Sequence, residues 1–156
     1  MKKYYVIISS CCLLFFGYIY ASEKMSPVGR WETIDDKTHD VASIVNLWLD
    51  DSGLLHGKIE KVIIKPGEDP QPVCKKCTDE KKNKPLVGME ILWDFKQEKK
   101  DDPTKWTSGK ILDPDEGNVY SCNLTMNKDG KSLEVRGFIG IPWIGRSQTW
   151  NRVENK

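Results

Sequence analysis

The sequence predicts an all-β protein, a single antiparallel up-and-down β-barrel of about eight strands. Three observations favour this fold class. After the first 21 residues, almost no segment has the apolar periodicity of an amphipathic helix. Short segments instead alternate apolar and polar residues, as strands do when one face is buried. Clusters of turn-forming residues, at positions 50–53, 113–118 and 127–130, separate these segments.

The beginning of the chain has the order of a secretory signal peptide. Lys2 and Lys3 form a short positive region, and an apolar run follows over residues 6–20. Ala21 and Ser22 are small enough for a signal peptidase, and charged residues come next. This order predicts export, with cleavage after Ala21 or Ser22.

The expected organisation is therefore a signal peptide over residues 1–21 and one β-barrel domain over residues 22–156. The expected location of the protein is the periplasm or the extracellular space. Two alternatives stay open. The apolar run is just long enough to be an uncleaved membrane anchor, and Cys11 ends a segment that resembles a lipoprotein acylation site. No later segment is apolar enough to span a membrane.

The charge of the chain argues against nucleic acid as a partner. The formal net charge is +1 for the whole chain and becomes −1 once Lys2 and Lys3 are removed with the signal peptide. A nucleic-acid-binding domain of this size carries a strongly basic face. Charge therefore indicates no nucleic-acid partner and suggests no other one.

The first strands follow from alternation and turn chemistry. One strand surrounds Trp31, and a second spans residues 41–49 with its odd-numbered positions on one face. The turn at 50–53 leads into a return strand, in which Leu55, Gly57 and Ile59 face one way and His56 the other. These two segments predict a β-hairpin.

The central and last strands follow in the same way. Residues 87–95 alternate, and this predicts one face that carries both Trp93 and Phe95. The charged residues 96–105 predict a solvated hairpin connection. Four further strands are expected, and they lie at residues 106–112, 120–126, 133–139 and 146–153.

A proline-rich stretch over residues 65–85 predicts a long loop that contains two cysteines. Cys74 and Cys77 are expected to pair in an oxidising compartment, as a small disulfide that pins the loop. A redox dithiol and a metal site are the alternatives, but the flanks lack a strand–turn–helix context and further ligands at a recognisable spacing. Cys122 alternates in register with Tyr120, which predicts a buried apolar filler and leaves a reactive thiol as the minor alternative.

No catalytic or cofactor-binding motif is present in the sequence. Asp113, Asp115 and Glu116 lack the spacing of a calcium loop and instead predict a β-turn around Pro114. There is no nucleophile elbow, zinc-protease motif or phosphate-binding glycine loop. The sequence therefore predicts no catalytic residue, no cofactor and no metal. An unrecognised hydrolase or thiol enzyme remains the minor alternative.

A series of short motifs covers nearly all of residues 22–156. It comprises Gly29-Arg30-Trp31, Leu55-His56-Gly57-Lys58-Ile59, Pro85-Leu86-Val87-Gly88-Met89, Trp106-Thr107-Ser108-Gly109-Lys110-Ile111, Asp113-Pro114, Gly117, Tyr120, Leu133-Glu134-Val135-Arg136-Gly137-Phe138 and Gly145-Arg146-Ser147-Gln148-Thr149-Trp150-Asn151-Arg152. The series resembles the bacterial family called domain of unknown function 2147. The resemblance implies exported, lipocalin-like single-domain proteins with no established activity. It also implies that Trp31 closes one end of the barrel beneath Arg152, with Gly29 and Trp150 as further barrel-closing residues.

The supply of aromatic side chains suggests a ligand site at a barrel mouth. Residues 138–144 form an apolar segment across a Gly/Pro bend, where chain is normally exposed and polar. The leading hypothesis is an exported protein that holds a small apolar or amphipathic molecule there. The alternative is an envelope module with a filled barrel, whose segment docks a protein or touches a membrane without spanning it. The candidate ligand-binding residues are Trp93, Phe95, Tyr120, Arg136, Phe138, Trp143 and Arg146.

Overall fold

The computed structural model describes residues 25–154. It contains eight β-strands in one closed antiparallel barrel, which confirms the predicted fold class. The predicted signal peptide lies outside the described residues. The strands are β1 (Gly29–Ile34), β2 (Val41–Leu49), β3 (Leu55–Val62), β4 (Glu90–Lys99), β5 (Asp102–Asp113), β6 (Asn118–Met126), β7 (Ser132–Phe138) and β8 (Gly145–Arg152).

Each strand pairs with its neighbours in sequence, and β8 returns to β1 through the pairs Trp31–Arg152 and Glu32–Asn151. Closure gives every strand two partners and protects the edges from pairing with other chains. The turns after β1, β3, β5 and β7 lie at one end, which we call the mouth. The opposite end, the base, carries the other turns and residues 25–28, which precede β1. Among the described residues, no helix has the length and apolar character needed to cross a membrane.

Tightly packed side chains fill the barrel interior. Gly57 and Gly109 make this packing possible, because an added Cβ would overlap the Leu47 side chain or the Phe95 ring, respectively. Most interior side chains below the mouth are 4% exposed or less, as expected of a close-packed core. These residues are Trp31, Val45, Leu47, Leu55, Ile59, Leu92, Phe95, Trp106, Cys122, Leu124, Met126, Leu133, Val135 and Trp150.

The predicted alternation over residues 87–95 is wrong, because β4 begins at Glu90 and contains a bulge. Asp94 has a φ of 64°, in the left-handed region, which shifts the strand's phase by one residue. Leu92 and Phe95 therefore both face the interior and are fully buried. Trp93 faces outward, with the Lys81 ammonium 4.8 Å from the centre of its ring.

The predicted hairpin connection over residues 96–105 is present, but its predicted length is wrong. Strand β4 continues to Lys99 and β5 starts at Asp102, so only two residues form the turn. The Asp102 carboxylate accepts hydrogen bonds from the Thr104 backbone and hydroxyl, which lower the pKa of Asp102. This hairpin projects into solvent at the base, and both of its faces are exposed. Charged residues are therefore tolerated along its strands.

The loop between β3 and β4 folds back against the barrel wall and forms a second layer outside it. Ile91 and Leu112 point outward by strand alternation, yet they are only 6% and 4% exposed. Cys74 and Cys77, at 0% and 2%, belong to the same buried cluster. The disulfide loop therefore covers an apolar strip on the outside of β4 and β5.

Candidate functional site

The hairpin between β7 and β8 carries an exposed apolar tip at the mouth, which we call the lip (residues 138–145). Its large side chains are mostly in water: Ile139 is 67% exposed, Ile141 52%, Trp143 86% and Ile144 64%. Backbone hydrogen bonds shape the tip, from Ile139 N to Ile144 O (3.1 Å) and from Ile144 N to Ile141 O (3.0 Å). The lip is thus an ordered turn with an apolar surface.

Arg136 supports the lip from the outer face of β7. Its Nε donates a hydrogen bond to the Pro142 carbonyl oxygen at 2.8 Å, and its Nη1 donates to the Ser147 hydroxyl at 3.0 Å. The guanidinium therefore holds the bend in place. Phe138, at the root of the lip, is partly buried and pairs with Gly145.

Charged and polar groups line the mouth beside the lip. The Arg146 side chain is 81% exposed, and its Nη1 lies 3.8 Å from Asp36 Oδ2 of the β1–β2 turn. The Tyr120 hydroxyl donates to Glu116 Oε2 at 2.6 Å, and this bond raises the pKa of Tyr120 and lowers that of Glu116. Arg146 further lowers the pKa of the Glu116 carboxyl through its charge.

The structure brings five of the seven predicted ligand-binding residues to the mouth end: Tyr120, Arg136, Phe138, Trp143 and Arg146. The other two lie elsewhere. Phe95 is fully buried against Gly109 in the core, and Trp93 lies outside the barrel beneath Lys81. A ligand at the mouth would not contact either of these two rings without rearranging the core or the outer loop.

The base is closed by Arg152 and Trp31. The Arg152 guanidinium lies over the Trp31 ring, 4.2 Å from its centre, and an added Cβ on Gly29 would stand 3.0 Å from Arg152 Nη1. Trp150 is buried, and its Nε1 donates to Gln148 Oε1 at 3.2 Å. These residues occupy the end opposite the lip, where they leave the base sealed.

The disulfide in the β3–β4 loop and the turn around Pro114 are both present, as the sequence predicts. Cys74 and Cys77 form a disulfide with a Cα–Cα distance of 5.4 Å, as predicted. Asp113 Oδ1 accepts hydrogen bonds from the backbone N–H groups of Asp115 and Glu116, at 2.9 and 3.1 Å. The carboxylate therefore stabilises its own turn, as expected of an Asx-turn.

Cys122 is a buried free thiol that points into the core. Burial raises the pKa of its thiol to about 12, because the thiolate would lose its hydration. We expect folded protein at pH 8 to resist iodoacetamide at Cys122 and unfolded protein to react fully. Mass spectrometry of the tryptic peptide that contains Cys122 would measure both states. Rapid alkylation in the folded state would contradict the buried placement.

A polar cluster on the outer wall was not predicted as a group. His56 Nδ1 lies 2.7 Å from Glu90 Oε1, its Nε2 lies 3.3 Å from Asp50 Oδ2, and its ring stacks on Trp48. Alternation had placed His56 on the outer face, but pairing with Glu90 depends on the β3–β4 register. Over residues 25–154, no set of three or more His, Cys, Asp or Glu side chains is arranged to hold a metal ion.

The closed eight-stranded barrel, with a buried tryptophan beneath an arginine at one end, defines a lipocalin-like protein. A similar fold occurs in protein HP1028 from the human pathogen Helicobacter pylori, described as a member of the lipocalin family. The TM-score is 0.70 at 18% identity, over 84% of this chain and 85% of that one. At this identity the likeness concerns the fold alone.

Residues 29–152 match the family model described as "Uncharacterized protein conserved in bacteria (DUF2147)", and the chain belongs to that family. The family resemblance that the sequence motifs indicated is therefore confirmed. No curated protein sequence matches the chain.

Proposed function

We propose that the protein is an exported binding protein that takes a small apolar or amphipathic molecule at the mouth of its barrel. The main support for this proposal is the exposed apolar surface of the lip. Four large apolar side chains on one hairpin tip are each more than half exposed, and Trp143 reaches 86%. Covering such a patch removes apolar surface from water and stabilises a complex by roughly 25 cal/mol per Å².

The groups beside the lip support an amphipathic ligand. The Arg146 guanidinium is largely exposed and stands one residue beyond the end of the lip. Its contact with Asp36 is a long one, at 3.8 Å, so its N–H groups remain accessible to an acidic head group. An apolar chain on Trp143 and an anionic group near Arg146 would both find complementary surroundings.

The filled interior makes this a surface site. Side chains deep in the barrel are almost fully buried, whereas Tyr120 and Gln148, nearer the mouth, are only partly so. The proposed ligand therefore lies across the mouth and the lip, outside the packed core. Barrels of this size are either filled by side chains or hold one small ligand. Because this barrel is filled, the support for binding comes from the exposed lip and the groups beside it.

Export is part of the proposal. The apolar run over residues 6–20, preceded by two lysines, is typical of a signal peptide. The Cys74–Cys77 disulfide also supports a location outside the cytosol, because disulfides persist in oxidising compartments and are rare in the cytosol. The periplasm and the extracellular space both satisfy this condition.

A second candidate function, favoured by the filled interior, is docking to a membrane or a protein. A packed barrel needs no ligand to be complete, and Trp143 projects at the tip of a hairpin. Indole rings of this kind are enriched at membrane interfaces and in protein interfaces. The same lip would then be the contact surface.

Replacing Trp143 by Ala tests both candidates. We expect the affinity for sodium dodecanoate, measured by calorimetry below its micellar concentration, to fall about tenfold, which corresponds to about 1.4 kcal/mol. The physical reason is the loss of the largest exposed apolar surface of the lip. The control variant is Leu49→Ala, which removes a 44% exposed apolar side chain on β2, away from the lip.

Co-sedimentation with phosphatidylcholine vesicles separates the two functions. Binding of dodecanoate that depends on Trp143 supports the carrier. Binding to vesicles that depends on Trp143, without binding of dodecanoate, supports membrane docking instead. Equal affinities in wild type, Trp143→Ala and Leu49→Ala would overturn the role of the lip.

A further inference from the structure

We propose that the proline-rich loop between β3 and β4 forms a second binding site, for an uncharged apolar group such as a short alkyl chain. The site is a pocket of about 330 Å³ between the end of β3 and the loop, and we call it the loop pocket. This volume is at the lower end of the range typical of small-molecule sites. Its lining residues are Val62, Ile64, Pro70, Gln71, Pro72, Val73, Pro85 and Val87.

The walls of the loop pocket select for an apolar, neutral occupant. Seven of its eight lining residues are valine, isoleucine or proline, and no ionisable side chain is among them. The three prolines have no backbone N–H to donate. Gln71 supplies the single polar side chain, enough for one hydroxyl or carbonyl group. A charged group in this pocket would lose hydration without gaining a partner of opposite charge.

The pocket is built before any ligand arrives. The Cys74–Cys77 disulfide closes the middle of the loop, and Val73 bridges to Pro85 as an isolated antiparallel pair. Leu86 N donates to Pro72 O at 2.9 Å, which joins the two arms of the loop directly at the pocket wall. Binding to such a surface orders few additional groups, and preorganisation of this kind favours affinity.

Two of the lining side chains leave apolar surface exposed that an occupant would cover. Val87 is 53% exposed and Ile64 is 39% exposed. Val62, which also lines the pocket, is partly buried and packs against the barrel core. An occupant would therefore contact Val62 and cover apolar surface of Val87 and Ile64. None of these residues belongs to the lip, so the loop pocket is independent of the site proposed at the mouth.

The test uses 1-octanol as the probe and methyl-labelled protein observed by NMR. We expect saturable shifts in the methyl signals of Val62, Ile64, Val73 and Val87, and these shifts should persist in Trp143→Ala because the loop pocket contains no residue of the lip. Octanoate, which has the same chain length and a carboxylate, should bind the loop pocket at least about threefold more weakly.

A pair of matched variants completes the experiment. Val87→Glu places a carboxylate at the pocket and should weaken binding of 1-octanol about tenfold. Val119→Glu introduces the same charge at a site with the same 53% exposure on β6, and should leave the affinity unchanged. Equal affinities of the two variants, shifts confined to the lip, or tighter binding of octanoate would each overturn the proposal.

Discussion

Replacing Arg152 by Met should lower the free energy of unfolding by about 3–5 kcal/mol. The guanidinium donates to three carbonyl oxygens at the base: Nε to Gly130 (2.6 Å), Nη1 to Val28 (3.0 Å) and Nη2 to Ser26 (2.6 Å). It also covers the Trp31 ring. Methionine keeps much of the apolar stem but leaves these acceptors without a donor. Urea unfolding followed by circular dichroism would measure the loss.

The matched control is Arg146→Met. Arg146 lies on the same strand, but its side chain is 81% exposed and its ion pair with Asp36 spans 3.8 Å. We expect its replacement to change stability by less than about 0.5 kcal/mol, as is usual for surface positions. Similar losses in the two variants would show that Arg152 does not hold the base together.

Replacing Gly117 by Ala should destabilise the protein by about 3 kcal/mol, through two effects that act together. Gly117 has a φ of +73°, which an L-residue with a side chain adopts only with strain. An added Cβ would also overlap the Lys76 carbonyl oxygen and stand 2.9 Å from the Cys77 nitrogen. Backbone atoms cannot rotate away, so the disulfide loop would have to move off the β5–β6 turn.

Gly53→Ala separates the two effects. Gly53 has a similar φ of +79°, but an added Cβ there would have no atom within 4 Å. Its replacement should therefore show the conformational strain alone, about 1 kcal/mol. Urea unfolding gives both values, and hydrogen exchange in residues 72–78 should increase only for Gly117→Ala. If the two variants lost equal stability, the contact between the disulfide loop and the β5–β6 turn would contribute nothing to the free energy of unfolding.

Most of the fold could be predicted because it depends on local sequence patterns. Alternation over β2, β3 and β6, together with turns such as the one capped by Asp50, depends on neighbouring residues alone. Asp50 Oδ1 accepts hydrogen bonds from Ser52 N and Leu54 N, which is the chemistry that its turn sequence indicates. Such short-range interactions can be identified without knowing the tertiary structure.

Other features could not be predicted because they depend on packing across the barrel. The bulge at Asp94 reverses the alternation, and an aspartate in a strand does not by itself indicate a positive φ. Leu112 was expected in a strand, but its cover by the disulfide loop arises from contacts between segments far apart in sequence. The lip was predictable as an apolar run, whereas the loop pocket joins β3 to two separate arms of a loop.

The hydrogen bonds at the base fix the end of the barrel at which the described chain enters it. Trp31 Nε1 donates to Pro27 O at 2.8 Å, and Arg152 holds Ser26 and Val28, so the chain enters at the base. Strands of nine residues, such as β2 and β6, rise roughly 3.3 Å per residue and tilt by roughly 40°, which separates base and mouth by roughly 20–25 Å. The lip therefore lies at the end of the barrel farthest from Met25, where the described part of the chain begins. A surface that binds Trp143 would therefore meet the barrel at the end opposite Met25, and the whole length of the barrel would lie between that surface and the start of the described chain.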